Sequence, residues 1–277
     1  MEPLLNTLHV TGQCPDLFSL DPAVEQLIIE DCEGEILVPD LPGVKSMTFI
    51  GCPDLIIGHV APGLESLTIQ NCPSIKYLPR MPRSFVSLEV RDCPDLSIVG
   101  VALHTLDLLI IDRCPKVALD ALPPVVELNL ISLVIDSFPA SVFISALRLL
   151  HLKDCRLDLT IIDSCTLREL AIDSCVVASH LVPLTLSPST SRLLTRLEVL
   201  NTPRVALPFN MSEIQELVLI SSEVVTLPQM PKLHSLELSP QGAMTNDRLV
   251  YEIYSYKEAW GSRRPKRPTR RSEGIQE

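Results

Sequence analysis

One interval recurs along most of this 277-residue chain. In the stretch SLTIQNCPSIKYLP, Ser66 to Pro79, apolar residues stand eight, five and three positions before Cys72, at Leu64, Leu67 and Ile69. The same template recurs at Val24, Leu27, Ile29, Cys32 and at Phe85, Leu88, Val90, Cys93, and again before Cys52, Cys114, Cys155 and Cys175. Four further turns keep the apolar triplet but end in Leu133, Thr202, Ser222 and Gln241, and a first turn, Leu5, Leu8, Val10, ends at Gln13. Successive column positions lie 19 to 22 residues apart, except for one interval of 27 between Cys175 and Thr202. Internal repetition on this scale governs the fold. Each x-L-x-I-x run reads as a short strand with alternate side chains inward. One such strand per turn stacks into a parallel sheet lining a solenoid of twelve turns.

The segments between strands carry Leu-Pro or Met-Pro pairs, among them Leu41-Pro42, Leu78-Pro79, Met81-Pro82 and Leu207-Pro208. Proline at that density forbids a helix of useful length and favours extended backbone. Composition agrees: 46% of residues are apolar but only 4% aromatic, which suits thin repeated layers of Leu, Ile and Val. The interval of 27 residues contains SPSTS, Ser187 to Ser191, which reads as a surface loop emerging from the solenoid. A Ser-Pro pair there would be a candidate phosphorylation site.

The pattern L-x-x-L-x-[LIV]-x-x-C resembles the leucine-rich repeats, and the resemblance covers about residues 4 to 241. It is similar to the irregular repeats of plant nucleotide-binding immune receptors, to the short repeats of bacterial leucine-rich-repeat effectors, and to FNIP-type repeats of amoebae and their giant viruses. The fold it implies belongs to the α/β repeat class and is β-rich: a leucine-rich-repeat solenoid with a parallel concave sheet, a Pro-rich extended convex side and a C-terminal capping helix. Residues 1–241 form the solenoid, 242–261 the cap and 262–277 a disordered basic tail. In those families the repeats recognise other proteins, sometimes as the substrate-selecting half of a ubiquitin ligase. These 277 residues contain neither a nucleotide-binding domain nor a ligase domain, so only the binding role carries over.

Within that family the cysteine column holds an inward-pointing Asn or Cys that bonds the backbone of the turn. The occupants Cys, Thr, Ser and Gln all suit that task. A line of sulfurs one strand spacing apart does not converge on a tetrahedral zinc. Cysteine catalysis needs a neighbouring base, but the strand-face histidines, His9 and His151, are seven turns apart, on the order of 34 Å. Cys165 falls outside the column and is the one in-repeat thiol open to a catalytic reading. No phosphate-binding glycine loop, H-E-x-x-H or paired C-x-x-C occurs, and the carboxylates form no obvious acid–base pair. The expectation is a non-enzyme with no cofactor and no metal.

Residues between the inward leucines face solvent on the concave side. Its middle carries Leu108, Ile110, Ile131 and Leu149, which read as a contiguous apolar patch, and around it stand His151 and the acids Glu89, Glu127, Glu169 and Glu198. Such a patch rimmed by charge points to a protein partner. The function expected is therefore that of a non-catalytic protein–protein interaction scaffold.

The net charge is −11, and residues 1–261 alone, with 17 basic against 32 acidic, stand at −15, a body that repels nucleic acid. After Gln241 the composition changes. The segment TNDRLVYEIYSYKEAWG, Thr245 to Gly261, reads as an amphipathic helix, with Asn246 or Asp247 as N-cap and Gly261 as stop, that caps the open end of the solenoid. The tail carries Arg263, Arg264, Lys266, Arg267, Arg270 and Arg271, and its alternative reading is nuclear targeting or nucleic-acid contact. The start MEPLLNTLHV lacks a basic residue ahead of its apolar stretch, unlike a secretory signal. Nine cysteines at regular spacing do not read as a disulfide framework. An intracellular, cytoplasmic protein with no membrane contact is the expectation, with nuclear targeting as the tail's contribution.

Overall fold

The computed structural model describes residues 6–13, 16–99, 101, 104–119, 122–136, 146–157, 161–164, 166–177, 183–202, 205–222, 224–226 and 229–239. These build a parallel β-solenoid. Its strands are Thr7–Gln13, Gln26–Glu33, Ser46–Ile50, Ser66–Gln70, Ser87–Arg91 and Leu106–Asp112 in turns 1 to 6. Turns 7 to 12 contribute Val125–Ile131, Leu149–Lys153, Glu169–Asp173, Arg196–Leu200, Glu216–Ile220 and Ser235–Ser239. Together they form one 12-stranded sheet in which sequence neighbours are also spatial neighbours.

The register is in phase with the sequence repeat. Leu67 pairs with Leu88 and Ile69 with Val90, and the same columns align through Leu109, Leu128, Leu150, Leu170, Leu197 and Leu217. A one-residue slip would turn every inward leucine to solvent, so burial and register enforce one another. Leu27, Ile29, Met47, Phe49, Leu88 and Ile111 are fully buried. Each such side chain contributes about 1.5–3 kcal/mol relative to exposure. Phe49 and Phe85 are the largest of them. Turn 1 departs from the sequence alignment: a shift after Thr11 pairs Gln13 with Glu33 rather than with Cys32.

The return limbs are extended, as the prolines require, and they pair with each other where they lie close. Glu35–Val38 pairs with Asp54–Ile57, and two further small parallel sheets run through turns 7 to 9 and 8 to 11. The apolar members of the Leu-Pro and Met-Pro pairs, such as Leu41, Leu78, Met81 and Leu207, are buried. Helical structure among the described residues is confined to 3-10 turns such as Leu17–Ser19 and Thr190–Arg192. The described chain is therefore a β-solenoid without the α component that the α/β class implied. The cap expected over 242–261 and the tail lie outside the described residues.

In turns 1 to 11 a left-handed residue stands just before the cysteine column. Asp31, Asn71, Asp92, Asp154 and Asn201 have φ between 48° and 53°, and Gly51 has 64°. Short polar residues and glycine tolerate that conformation best. Arg113, at φ 50°, is the bulky exception. Its guanidinium clamps Asp92 of the preceding turn, with Nη2 donating to Oδ2 at 2.7 Å. A Cβ added at Gly51 would stand 2.2 Å from the Asp31 carboxylate.

The expectation of a surface loop at SPSTS holds only for the exposed Pro188 and the half-buried Ser189. Thr190 is fully buried and Ser191 nearly so. Thr190 Oγ1 donates to the carbonyl of Ile162 at 3.0 Å and accepts the amide of Ser164 at 2.8 Å. Ser187 Oγ donates to Asp163 at 2.6 Å, and Ser189 also donates to that carboxylate. Ser187, Thr190 and Ser191 turn inward, where the Thr190 hydroxyl satisfies backbone groups that the longer turn leaves unpaired. The hydroxyls of Ser187 and Ser189 hold the Asp163 carboxyl below its ordinary range.

Three substitutions test this account. Gly51→Ala should cost about 1–2 kcal/mol from its positive φ, read as a lowered urea midpoint, whereas Asn71→Gly should change stability by less than about 1 kcal/mol. Thr190→Val, which keeps the shape and removes both hydrogen bonds, should cost about 1–3 kcal/mol.

Candidate partner-binding face

Two outward columns run along the long sheet. Register places Ser66, Ser87, Leu108, Glu127, Leu149, Glu169, Arg196 and Glu216 in one column, and Thr68, Glu89, Ile110, Asn129, His151, Ala171, Glu198 and Val218 in the next. Most of these side chains are half-buried by their neighbours, since adjacent strands lie roughly 4.8 Å apart. Leu108, Ile110, Ile131 and Leu149 therefore all stand on the outward face, in turns 6 to 8.

They do not form the contiguous apolar patch that the sequence suggested. Leu108 lies between Ser87 and Glu127, and Leu149 between Glu127 and Glu169. Ile131 lies between Asp112 and Lys153, and Ile110 between Glu89 and Asn129. The repeat places them in the outward columns, but the register sets a polar or charged side chain beside each one.

What the register does gather is a depression of about 230 Å³ over turns 7 to 10. Glu127, Leu149, His151, Glu169 and Glu198 line it together with Asn129, Ala171 and Arg196. Ala171 makes the space, because its methyl group stands between His151 and Glu198 where longer side chains would meet. Sequence reading found five of these residues but missed Asn129, Ala171 and Arg196. The signal for the last lay in its column spacing from Glu169 and Glu216.

The electrostatics of the depression are acidic. Asn129 donates to Glu127 at 3.1 Å. Arg196 Nε donates to Glu198 at 3.0 Å and stands 3.7 Å from Glu216. The hydrogen bond and charge of Glu198 hold the Arg196 guanidinium above its ordinary pKa. Glu169 stands beside Arg196 in its column and its charge adds to that shift, but the two form no close ion pair. Glu89 is occupied differently. It accepts from Arg91, which reaches the buried Asp112 at 3.3 Å, and Arg113 meets the other oxygen of Asp112 at 3.1 Å. This charge chain ties turn 5 to turn 6 and leaves Glu89 outside the depression.

The thiols are wall material. Cys32, Cys52, Cys72, Cys93, Cys114, Cys155 and Cys175 are free and buried. Cys72 Sγ donates to the carbonyl of Gln70 at 3.3 Å, and Ser222 Oγ donates to the equivalent carbonyl of Ile220 at 2.9 Å. Cysteine and serine thus fill one structural role. Bonding to Cys52 and burial push the Cys72 thiol up, and the same causes, with Cys93 and Cys155 as partners, raise Cys114 and Cys175. Cys165 and the basic residues Arg263, Arg264, Lys266, Arg267, Arg270 and Arg271 lie outside the described residues. Among the described residues no group of three His, Cys, Asp or Glu is placed to hold a metal ion. No described helix is long and apolar enough to cross a membrane.

The molecule is thus a repeat protein, a parallel β-solenoid with one long outward-facing ladder. No protein-family profile matches this chain, and a search of curated proteins finds no match to it.

The seven ladder thiols should react with a thiol reagent only as the solenoid unfolds in urea. Cys72→Ser should stay within about 1 kcal/mol of the parent, since it keeps the donor, whereas Cys72→Leu should cost about 1–3 kcal/mol by overpacking.

Proposed function

We propose that this chain is a non-catalytic interaction scaffold of the leucine-rich-repeat class, which holds a partner protein on the outward face of its long sheet. One contrast carries the reading. The inward columns repeat Leu, Ile, Val and Cys from turn to turn, as a stacked core demands, whereas the outward columns change at nearly every turn. Serine and threonine in turns 3 and 4 give way to Leu108 and Ile110 in turn 6 and to Glu127, His151, Glu169 and Glu198 in turns 7 to 10. A sheet serving only to close the solenoid has no use for such variety. A surface read by another protein does, because specificity comes from a particular order of apolar, charged and hydrogen-bonding groups.

The test replaces turn 6 with the face of turn 4. Leu108→Ser/Ile110→Thr installs the pair that Ser66 and Thr68 already form two turns earlier, so the fold is retained. Proteins captured from a lysate by the parent chain should be lost with this variant at unchanged thermal stability. Identical capture by both would count against the ladder as the working surface.

A further inference from the structure

We infer that the partner segment seated on this ladder is basic, and that one of its arginine or lysine side chains enters the depression over turns 7 to 10, between Glu127 and Glu169. The inference rests on the scaffold reading and gives the partner a chemistry. Its first support is a charge asymmetry along the ladder. Over turns 1 to 4 the two outward columns hold no carboxylate, lysine or arginine, and present groups such as Ser46, Thr48, Ser66 and Thr68. Over turns 7 to 12 the same columns hold Glu127, Glu169, Glu198, Glu216 and Glu237, with Arg196 as their single Lys or Arg. That face repels nucleic acid and anionic surfaces and favours a cationic segment.

The second support is geometric. Arg196 is hydrogen-bonded to Glu198, stands near Glu216 and is the column neighbour of Glu169, while Glu127 accepts the amide of Asn129 and enters no ion pair among the described residues. Glu127 and Glu169 stand in one column on either side of Leu149, two strand spacings or roughly 9.6 Å apart. That span is too wide for the two carboxylates to share a bare ion, but it admits one guanidinium or ammonium group between them. The half-buried Leu149 and the methyl of Ala171 offer an apolar floor to the side chain's stem. The depression and the carboxylates thus select one kind of occupant, a long amphipathic cation presented by a protein.

The experiment uses the full chain and a fluorescent probe peptide, Arg-Ala-Ala-Arg-Ala-Ala-Arg, titrated at low and physiological salt. Glu127→Gln/Glu169→Gln should weaken binding about tenfold. Ala171→Leu, which fills the depression without changing any charge, should weaken it as well. Glu35→Gln/Asp54→Asn removes the same charge from two adjacent exposed acids on the return limb and should leave binding unchanged. Thermal melts confirm that all variants remain folded. Equal weakening in both double variants, or none in either, overturns the inference, since binding would then follow net charge alone. Full binding by Ala171→Leu overturns it too, because the depression would not be the seat. Failure here with loss of capture in Leu108→Ser/Ile110→Thr leaves the scaffold reading standing without a cationic anchor. The expected peptide result with unaltered capture would support the anchor and move the fault to the turn 6 contact.

Discussion

The parallel register of the long sheet is the constraint on which everything else depends. Each strand must present Leu and Ile inward at every turn, and a shift by one residue in any strand would exchange core for surface along its whole length. Because the repeat is nearly constant in length, consecutive strands meet in phase, and the inward columns close into a core with almost no large rings. The ends of most strands use two further devices. A left-handed residue turns the chain away, and in nine of the twelve turns a thiol or hydroxyl in the next position stands where it can bond the carbonyls left behind. These are local solutions to one problem, the unpaired backbone at the edge of every turn.

The same register decides what the outward face can be. Side chains two residues apart on one strand, and those opposite on the next, are the only close neighbours a residue has there. Charge is therefore distributed in columns. The chain from Glu89 through Arg91 and Asp112 to Arg113 and Asp92 shows the stabilising use, in which alternating signs on successive turns are bonded and one carboxylate is nearly buried. The column of Glu127, Leu149 and Glu169 shows the other arrangement, where like charges are kept two strands apart by an apolar residue and face open solvent. Burying Asp112 without its two arginines would be costly, whereas Glu127, bonded to Asn129, and Glu169, beside Arg196, reach solvent and cost the solenoid little. The first group serves the fold, and the second is the one on which the proposed partner contact rests.

Several features were legible before any coordinates because they rest on spacing alone. The turns, the inward columns, the extended return limbs and the buried cysteines all follow from apolar residues at fixed offsets from a cysteine, with proline between them. The misreadings have a common cause. SPSTS looked like a solvated loop because its composition is polar, yet its hydroxyls bond backbone that only the lengthened turn leaves unpaired. Leu108, Ile110, Ile131 and Leu149 looked like one patch because they lie in nearby turns, yet lateral adjacency depends on register, which sets Glu127, Asn129, Asp112 and Lys153 among them.

The sequence by itself determined a stack of parallel strands with a Leu-Ile-Cys interior and a variable exterior, because periodic burial is a property of one turn repeated. Which exterior residues stand together was decided only in the tertiary structure. Contacts between turns join residues about twenty positions apart, and small differences in turn length, a bulge at Thr11 or a methyl at Ala171 set who meets whom. The depression over turns 7 to 10 exists for that reason: three carboxylates, a histidine and one small residue come from four successive turns, and only the pairing of their strands brings them to a single place.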